Sequence, residues 1–190
     1  MTAPPTVAAD ARLREVGGAV FERSTTVPST FLEERADDVS RACRDMAARF
    51  HRGGRLLAFG AGPARSDALH VSVEFVHPVL VGKRALPALA LEEPFARRVE
   101  LVGSSDDIAI GIAAGDGGEE SAAGIAAARE RGLLTLALAG REDVALAETD
   151  ADHRFVVPDD DPLVVQETLE TLYHVLWELV HVFFDHEELL

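Results

Sequence analysis

The chain has 190 residues, of which 47% are hydrophobic, and it carries a formal net charge of −15. This length and apolar fraction predict a single domain over residues 1–190 with a substantial core. The acidic excess argues against a nucleic acid partner, because binding a polyanion requires clustered lysine and arginine. The single cysteine, Cys43, excludes an internal disulfide, and its helix-forming neighbours predict a packed thiol in a reducing compartment.

Neither end of the chain resembles a membrane segment. Residues 1–16 lack the basic start and the apolar stretch of a secretory signal. The most apolar late stretch, residues 163–184, is interrupted by Glu167, Glu170 and Glu178. We therefore expect a soluble cytoplasmic protein that has no membrane partner.

Apolar residues at helical spacing over residues 7–23 and 29–51 predict two opening helices, and Ser29 or Thr30 is a plausible N-cap of the second. These helices form the N-terminal part of the domain, residues 1–52. In the central part, residues 53–158, short apolar runs alternate with helical patterns. The predicted strands are 55–61, 85–91, 107–113, 133–139 and 153–158, and the predicted helices between them are 63–77, 94–103, 119–132 and 143–149. Continuous apolar strands separated by helices indicate an α/β fold with a five-stranded parallel sheet covered on both faces.

The C-terminal part, residues 159–190, is predicted to form a long apolar helix from about Pro162 to Asp185. Apolar side chains cover too much of its circumference for a solvated surface helix. Such a helix buries its surface against a partner subunit as well as the core, so we expect a homo-oligomer.

Two glycine-rich turns follow predicted strands, at the edge of a parallel sheet where ligands collect. The ligand-loop candidates are Gly60, Ala61 and Gly62 in the first turn, and Ala113, Ala114, Gly115 and Asp116, followed by Gly117 and Gly118, in the second. Free backbone N–H groups before a helix suit phosphate oxygens. Glycine alone does not decide the matter, because a plain tight turn uses the same residues.

Four polar side chains on the helical segments are candidate metal ligands. His70 and Glu74 are four residues apart and project from one face of a helix. Gln166 and His174, eight residues apart, lie on neighbouring parts of one face of the last helix. Imidazole nitrogens, a carboxylate and an amide oxygen suit Zn²⁺ or another first-row divalent ion. The spacing leaves two alternatives open, a shared ion or packed polar residues.

The order of elements and two stretches of sequence resemble the SIS (sugar isomerase) domain, and they are most similar to the phosphoheptose isomerase group. The stretches are GAGPARSDALHVSVEF at residues 60–75 and VVQETLETLYHVLWELV at residues 164–180. The first contains the group's D-A-x-H-x-x-x-E pattern, and the second its Q-E followed by a histidine eight residues after the glutamine. The resemblance implies a three-layer SIS fold, a homotetramer with shared sites, and zinc held by His70, Glu74, Gln166 and His174.

The resemblance also implies an activity, the interconversion of sedoheptulose 7-phosphate and an aldoheptose phosphate by proton transfer between adjacent carbons. In such a reaction Glu74 would be the general base, and His174 would act as acid or base on the oxygen side.

The chain departs from the group in the residues that hold the substrate. Ala61 and Ala64 stand where the group has Asn and Ser, and the second loop lacks every hydroxyl of the group's G-I-S-T-S-G-N-S. Pro78 stands where the isomerases carry an Arg, and the segment after the second strand is short. The charged side chains near these loops can be interpreted in two ways. The acids either repel phosphate or cap a solvated helix; they are Asp116, Glu119 and Glu120. The arginines either bind an anion or are surface charges; they are Arg65, Arg97 and Arg98.

Two functions remain open at this point. One is a metal-dependent isomerase of a small sugar-like ligand, with an altered substrate. The other is a noncatalytic SIS module that binds a metal or a protein partner as an assembly or regulatory factor. A dinucleotide-binding loop is disfavoured, because GAGPAR lacks the third glycine. The polar stripe of His174, Glu178, His181 and Asp185 either extends the metal environment or forms a ladder of polar contacts.

Overall fold

A parallel sheet of five strands lies at the centre of the computed structural model, which describes residues 7–116, 118–186, 188 and 190, with side chains from residue 11 onwards. The strands are β1 (Leu56–Gly60), β2 (Ala88–Ala90), β3 (Ile108–Ala113), β4 (Leu134–Gly140) and β5 (His153–Val157). They pair in the order β2-β1-β3-β4-β5, and every pair is parallel. This confirms the predicted sheet, in which each strand overlaps its predicted range.

Helices cover both faces of the sheet. They are α1 (Val7–Glu34), α2 (Ala36–His51), α3 (Ala64–Val76), α4 (Phe95–Val102), α5 (Glu119–Glu130), α6 (Val144–Ala147) and α7 (Pro162–Asp185). Side chains alternate along β1, so that Leu56 and Ala58 join a core with α2, α3 and α7, whereas Leu57 and Phe59 join a second core with α4 and α5. The three-layer α/β fold is therefore as expected.

The predicted boundary between the first two helices was wrong. Helix α1 continues through Ser29 and Thr30 to Glu34, and the chain breaks at Arg35, before α2. Pro28 lies inside α1 and is buried. The helix continues because Phe31, one turn later, packs into the core on the same face. Tertiary packing thus overrides the weak local signals that proline and serine give.

Helix α7 begins at a capped turn. The Asp161 side chain accepts a hydrogen bond from the Leu163 backbone N–H over 3.1 Å, and Pro162 occupies the first turn, where its missing N–H is not needed. The apolar side chains of α7 are mostly covered within the chain, by α1, α2 and α3.

None of the described helices is long and apolar enough to cross a membrane.

The polar stripe on α7 makes contacts within the chain. Lys83 lies 3.8 Å from Glu178 and 3.1 Å from Asp185, and both ring nitrogens of buried His181 face backbone carbonyl oxygens, of Trp177 at 2.8 Å and Arg84 at 2.9 Å. His181 is therefore engaged by the backbone, and the stripe beyond His174 is a ladder of polar contacts.

Cys43 on α2 is fully buried, and burial raises the pKa of its thiol to about 12. We expect this thiol to be inert to a thiol-reactive disulfide reagent in the native protein and to react on unfolding, because only the thiolate attacks. Ser40→Cys, on an exposed position of the same helix, is the matched control and is expected to react in the folded state. Rapid labelling of native Cys43 would contradict this packing.

Candidate metal centre and ligand loops

Helices α3 and α7 lie side by side and run in the same direction. Three contacts join them in register: Gln166 Nε2 to Asp67 Oδ2 at 3.0 Å, His174 Nε2 to His70 Nε2 at 3.4 Å, and Trp177 Nε1 to the Glu74 carbonyl at 2.9 Å. Each helix follows a strand of the parallel sheet, so both begin at the same sheet edge. This arrangement brings the two sequence motifs into contact along their length.

His70, Glu74 and His174 converge between these helices. His70 Nε2 lies 3.3 Å from Glu74 Oε1 and 3.4 Å from His174 Nε2, and one ligand atom of each residue lies within 4.8 Å of the other two. Ligand atoms at the usual zinc distances are about 3.3 Å apart in a tetrahedron. Two imidazoles and a carboxylate are also a donor set that zinc accepts. The residues therefore fit a divalent ion in both chemistry and spacing.

The cluster is half-buried. The His70 side chain is 37% exposed and that of Glu74 is 15% exposed. A groove of about 790 Å³ between α1 and α7 reaches His174 and is lined in part by Val20 and Phe21. The cluster is thus accessible to a small molecule from the groove and is covered by packed helices on its other side.

Gln166 does not share the immediate contacts of the other three candidates. Its amide nitrogen donates to Asp67 Oδ2 over 3.0 Å. The opposite end of the amide, the carbonyl oxygen, is the atom that an ion would use.

Asp67 and Tyr173 form a hydrogen-bond network that the sequence reasoning missed. The Tyr173 hydroxyl lies 3.0 Å from His70 Nδ1 and 3.4 Å from Asp67 Oδ1. Burial raises the pKa of Asp67, against the hydrogen bonds from Gln166 and Tyr173, which lower it. Burial also raises the pKa of Tyr173, and the charges of Asp67 and Glu170 raise it further, so the phenol stays neutral. Asp67 was visible only as a letter of the D-A-x-H pattern, and nothing in the sequence marked Tyr173.

The two predicted ligand loops lie next to each other, after the adjacent strands β1 and β3. Gly62 has a φ of +52°, and a Cβ placed there would lie 3.4 Å from the Asp116 carboxylate. Gly115 has a φ of +90°, and a Cβ placed there would lie 3.0 Å from the Pro162 side chain at the start of α7. Gly117 lies outside the described residues. The loops and the start of α7 therefore share one edge of the sheet, as Gly60 to Gly62 and Ala113 to Asp116 were expected to do.

Two backbone amides of the second loop bond to a carboxylate of the chain itself. Asp143, which is 1% exposed, accepts hydrogen bonds from the N–H groups of Gly115 at 2.9 Å, Asp116 at 3.0 Å and Gly140 at 3.1 Å. Burial raises the pKa of Asp116, and the neighbouring charge of Asp143 raises it further. Sequence reasoning missed Asp143, which follows the next strand, β4.

The charged side chains near the loops are engaged locally. Glu120 accepts from the Phe95 backbone N–H over 3.0 Å, and Asp116 accepts from the N–H of Gly118 over 3.1 Å. Arg65 pairs with Glu92 at 2.7 Å and Arg97 with Glu100 at 3.0 Å, in both cases with exposed side chains. The contacts of Arg65 and Arg97 agree with the surface-charge interpretation. The N-cap of α5, Gly118, has no side-chain cap, and Glu120 instead bonds to the start of α4, so the structure does not show these acids capping α5 as the helix-capping interpretation required.

Comparison with known proteins places the chain in a family. Residues 21–121 match the SIS domain. A phosphoheptose isomerase of Thermodesulfovibrio yellowstonii is 32% identical over 84% of this chain and 87% of its own length. One from Solidesulfovibrio magneticus is 30% identical over 86% of this chain and 88% of its own length. The chain belongs to the SIS domain family and is of the phosphoheptose isomerase type.

A solved structure agrees on the fold of this SIS domain. The structure of a phosphoheptose isomerase from Francisella tularensis superposes with a TM-score of 0.80 at 22% identity, over 90% of this chain and 98% of the other. At this identity the likeness concerns the fold alone.

The Asp143 contacts in this SIS domain predict a loss of stability on substitution. Asp143→Asn places an amide donor among backbone N–H groups, so we expect the free energy of unfolding to fall by about 2–3 kcal/mol. Urea unfolding measures the change. Glu142→Gln, at the exposed neighbouring position, is the control and is expected to unfold like the wild type. Equal urea midpoints for Asp143→Asn and the wild type would show that the carboxylate does not hold the loop.

Proposed function

We propose that this chain is a divalent-metal-dependent aldose–ketose isomerase whose substrate differs from that of the phosphoheptose isomerases. The observation that carries the proposal is the convergence of His70, Glu74 and His174 in a half-open cluster. Zinc is the ion that suits two imidazoles and a carboxylate at this spacing, and Gln166 would supply a fourth ligand.

The chain's own residues divide the proton transfers between them. Glu74 would move a proton between the two adjacent carbons of the sugar, and His174 would exchange a proton with the oxygen that changes from carbonyl to hydroxyl. A bound divalent ion would polarise the sugar carbonyl, which makes the neighbouring C–H more acidic. The apolar wall of the groove, at Val20 and Phe21, would limit the access of water to the cluster.

The substrate is proposed to lack a phosphate at the β3–α5 loop. That loop has no hydroxyl, and the N–H groups of Gly115 and Asp116 already bond to Asp143. A carboxylate about 5 Å from a phosphate charge raises the energy by about 3 kcal/mol per charge pair at an effective dielectric of about 20. A neutral sugar would not meet this repulsion, so an unphosphorylated sugar is the favoured substrate class.

Metal analysis tests the ion site directly. We expect protein purified without chelator to hold about one zinc or similar ion per subunit, by the ligand count of the cluster. The double variant Glu74→Gln, His174→Ala is expected to hold none while it stays folded. If the wild type holds no ion under zinc-replete conditions, the four residues are packed polar groups and the metal proposal is wrong.

Turnover tests the reaction. With the metal present, we expect isomerisation of an unphosphorylated aldose or ketose in a sugar screen, and a loss of turnover of at least about 100-fold in Glu74→Gln. Sedoheptulose 7-phosphate is expected to be a poor substrate. Efficient turnover of that phosphate would contradict the altered substrate. Metal binding without any turnover would favour the second function below.

A noncatalytic SIS module is the second candidate function. The observation that favours it is the loop whose amides are filled by Asp143, because a chain that serves as a binding or assembly factor does not need a phosphate grip. Such a protein would keep the fold and a partner surface, in the cytoplasm that the lone cysteine suggests, but would not turn over a sugar.

We propose that the chain forms a homotetramer and that the exposed apolar surface of α1 lies in a subunit interface. The helix face that packs into the core at Phe31 continues toward the N-terminus as Leu13, Val16 and Val20, which are 67%, 55% and 58% exposed. A stripe of this kind is suited to a second copy of the chain. The groove beside α1 reaches His174, so a partner chain seated there would also wall the cluster.

The oligomeric state of an α1 variant tests this assembly. Val16→Asp, Val20→Asp puts two charges in the stripe, and we expect the tetramer to dissociate in analytical ultracentrifugation, because burying unpaired charges is unfavourable. Glu22→Lys, on the opposite face of α1, is the control and is expected to stay tetrameric. A monomeric wild type at micromolar concentration would overturn the assembly.

A further inference from the structure

Buried Asp67 lies beneath the cluster and contacts one partner with each oxygen. It is 4% exposed; its Oδ2 accepts from Gln166 Nε2 at 3.0 Å, and its Oδ1 lies 3.4 Å from the Tyr173 hydroxyl. That hydroxyl in turn lies 3.0 Å from His70 Nδ1. Asp67 is thereby linked to two of the four candidate ligands, directly to Gln166 and through Tyr173 to His70.

The position of the phenol hydrogen decides the state of His70. A hydroxyl has one hydrogen to donate, and two acceptors, the Asp67 carboxylate and a bare His70 Nδ1, lie within reach. The Asp67 oxygen is the more distant acceptor, at 3.4 Å against 3.0 Å, but a carboxylate can only accept, whereas the His70 nitrogen can donate instead, and a hydrogen bond to a charged acceptor is the stronger kind. The hydrogen therefore points to Asp67, and the phenol oxygen accepts a hydrogen bond from His70 Nδ1–H.

The other ring nitrogen is then left bare. A neutral imidazole carries a single N–H, so His70 Nε2 has a free electron pair. Glu74 Oε1, 3.3 Å from Nε2, would by itself draw the hydrogen to that side. The Nδ1 side has the shorter contact, to Tyr173, and a second carboxylate, Glu170, at 3.5 Å, both of which oppose that shift.

We propose that Asp67 and Tyr173 are positioning residues of this site. They hold His70 as the Nδ1–H tautomer with Nε2 open toward Glu74 and His174, and Asp67 fixes the amide of Gln166 by its nitrogen so that the carbonyl oxygen is the free end. The use of this arrangement in metal binding rests on the proposed function, whereas the tautomer is a property of the metal-free chain.

The tautomer is measured first. Nitrogen NMR of the full chain labelled at histidine, without zinc and at about pH 8, where an ordinary imidazole is neutral, distinguishes a protonated ring nitrogen from a bare one. His70→Gln assigns the signals by their loss. We expect Nδ1–H in the wild type and a shift toward Nε2–H in Tyr173→Phe, which removes only the phenol hydroxyl. Thr168→Val removes a buried hydroxyl of the same helix, bonded to Val164, and is expected to leave His70 unchanged.

Zinc affinity by competition with a chelator is the second readout. We expect Tyr173→Phe and Asp67→Asn each to weaken zinc binding by about 10- to 100-fold, as for other residues that orient a metal-bound histidine. Thr168→Val is expected to bind zinc like the wild type. If Asp67→Asn fails to fold, Tyr173→Phe decides the matter alone.

The outcomes separate this inference from the proposed function. An Nε2–H tautomer in the wild type overturns the inference, as does a Tyr173→Phe variant with unchanged tautomer and zinc affinity. A wild type with Nδ1–H that binds no zinc supports the positioning of His70 and defeats the metal-dependent function.

Discussion

The parallel direction of the five strands is the constraint on which the rest of the structure depends. A helix that follows a parallel strand runs antiparallel to the strands. Helices α3 and α7 each follow a strand and pack on the same face of the sheet, so they run in the same direction and start at the same edge. Their side chains therefore meet in matching order, Asp67 with Gln166 and His70 with His174. Reversal of either helix would separate these pairs.

Because the strands are parallel, Asp143, which follows β4, lies at the same sheet edge as the loop that follows β3. In this chain a buried carboxylate, Asp143, accepts from the N–H groups of Gly115 and Asp116 in the β3–α5 loop, and Asp116 adds a second acidic group. An internal ligand of this kind stabilises the loop without any bound molecule. The N–H groups of Gly115 and Asp116 are thereby already paired within the chain.

The sheet could be predicted closely, and the first helix boundary could not. Runs such as Ile108–Ala113 are apolar on both faces, which is decisive for a buried parallel strand. Ser29 and Thr30 gave a local N-cap signal for a second helix, but packing of Phe31 carried α1 past them. His70, Glu74 and His174 were accessible to sequence reasoning through spacing and resemblance. The contacts of Tyr173 were not, since Tyr173 is 103 residues from His70 in sequence and only the packing of α7 on α3 brings them together.

The burial of Asp67 bears on whether the cluster is a ligand site or a set of packed polar residues. Burial raises the pKa of this carboxyl, which means that the fold holds its charge at a cost in free energy. Apolar side chains in place of the whole network, Asp67 together with its partners Gln166 and Tyr173, would often be neutral or stabilising for the fold alone. The hydrogen bonds to Gln166 and Tyr173 offset part of that cost and lead to His70. A buried acid that bonds to one candidate ligand, Gln166, and to the phenol that contacts another, His70, is thus better explained by the orientation of those ligands than by stability.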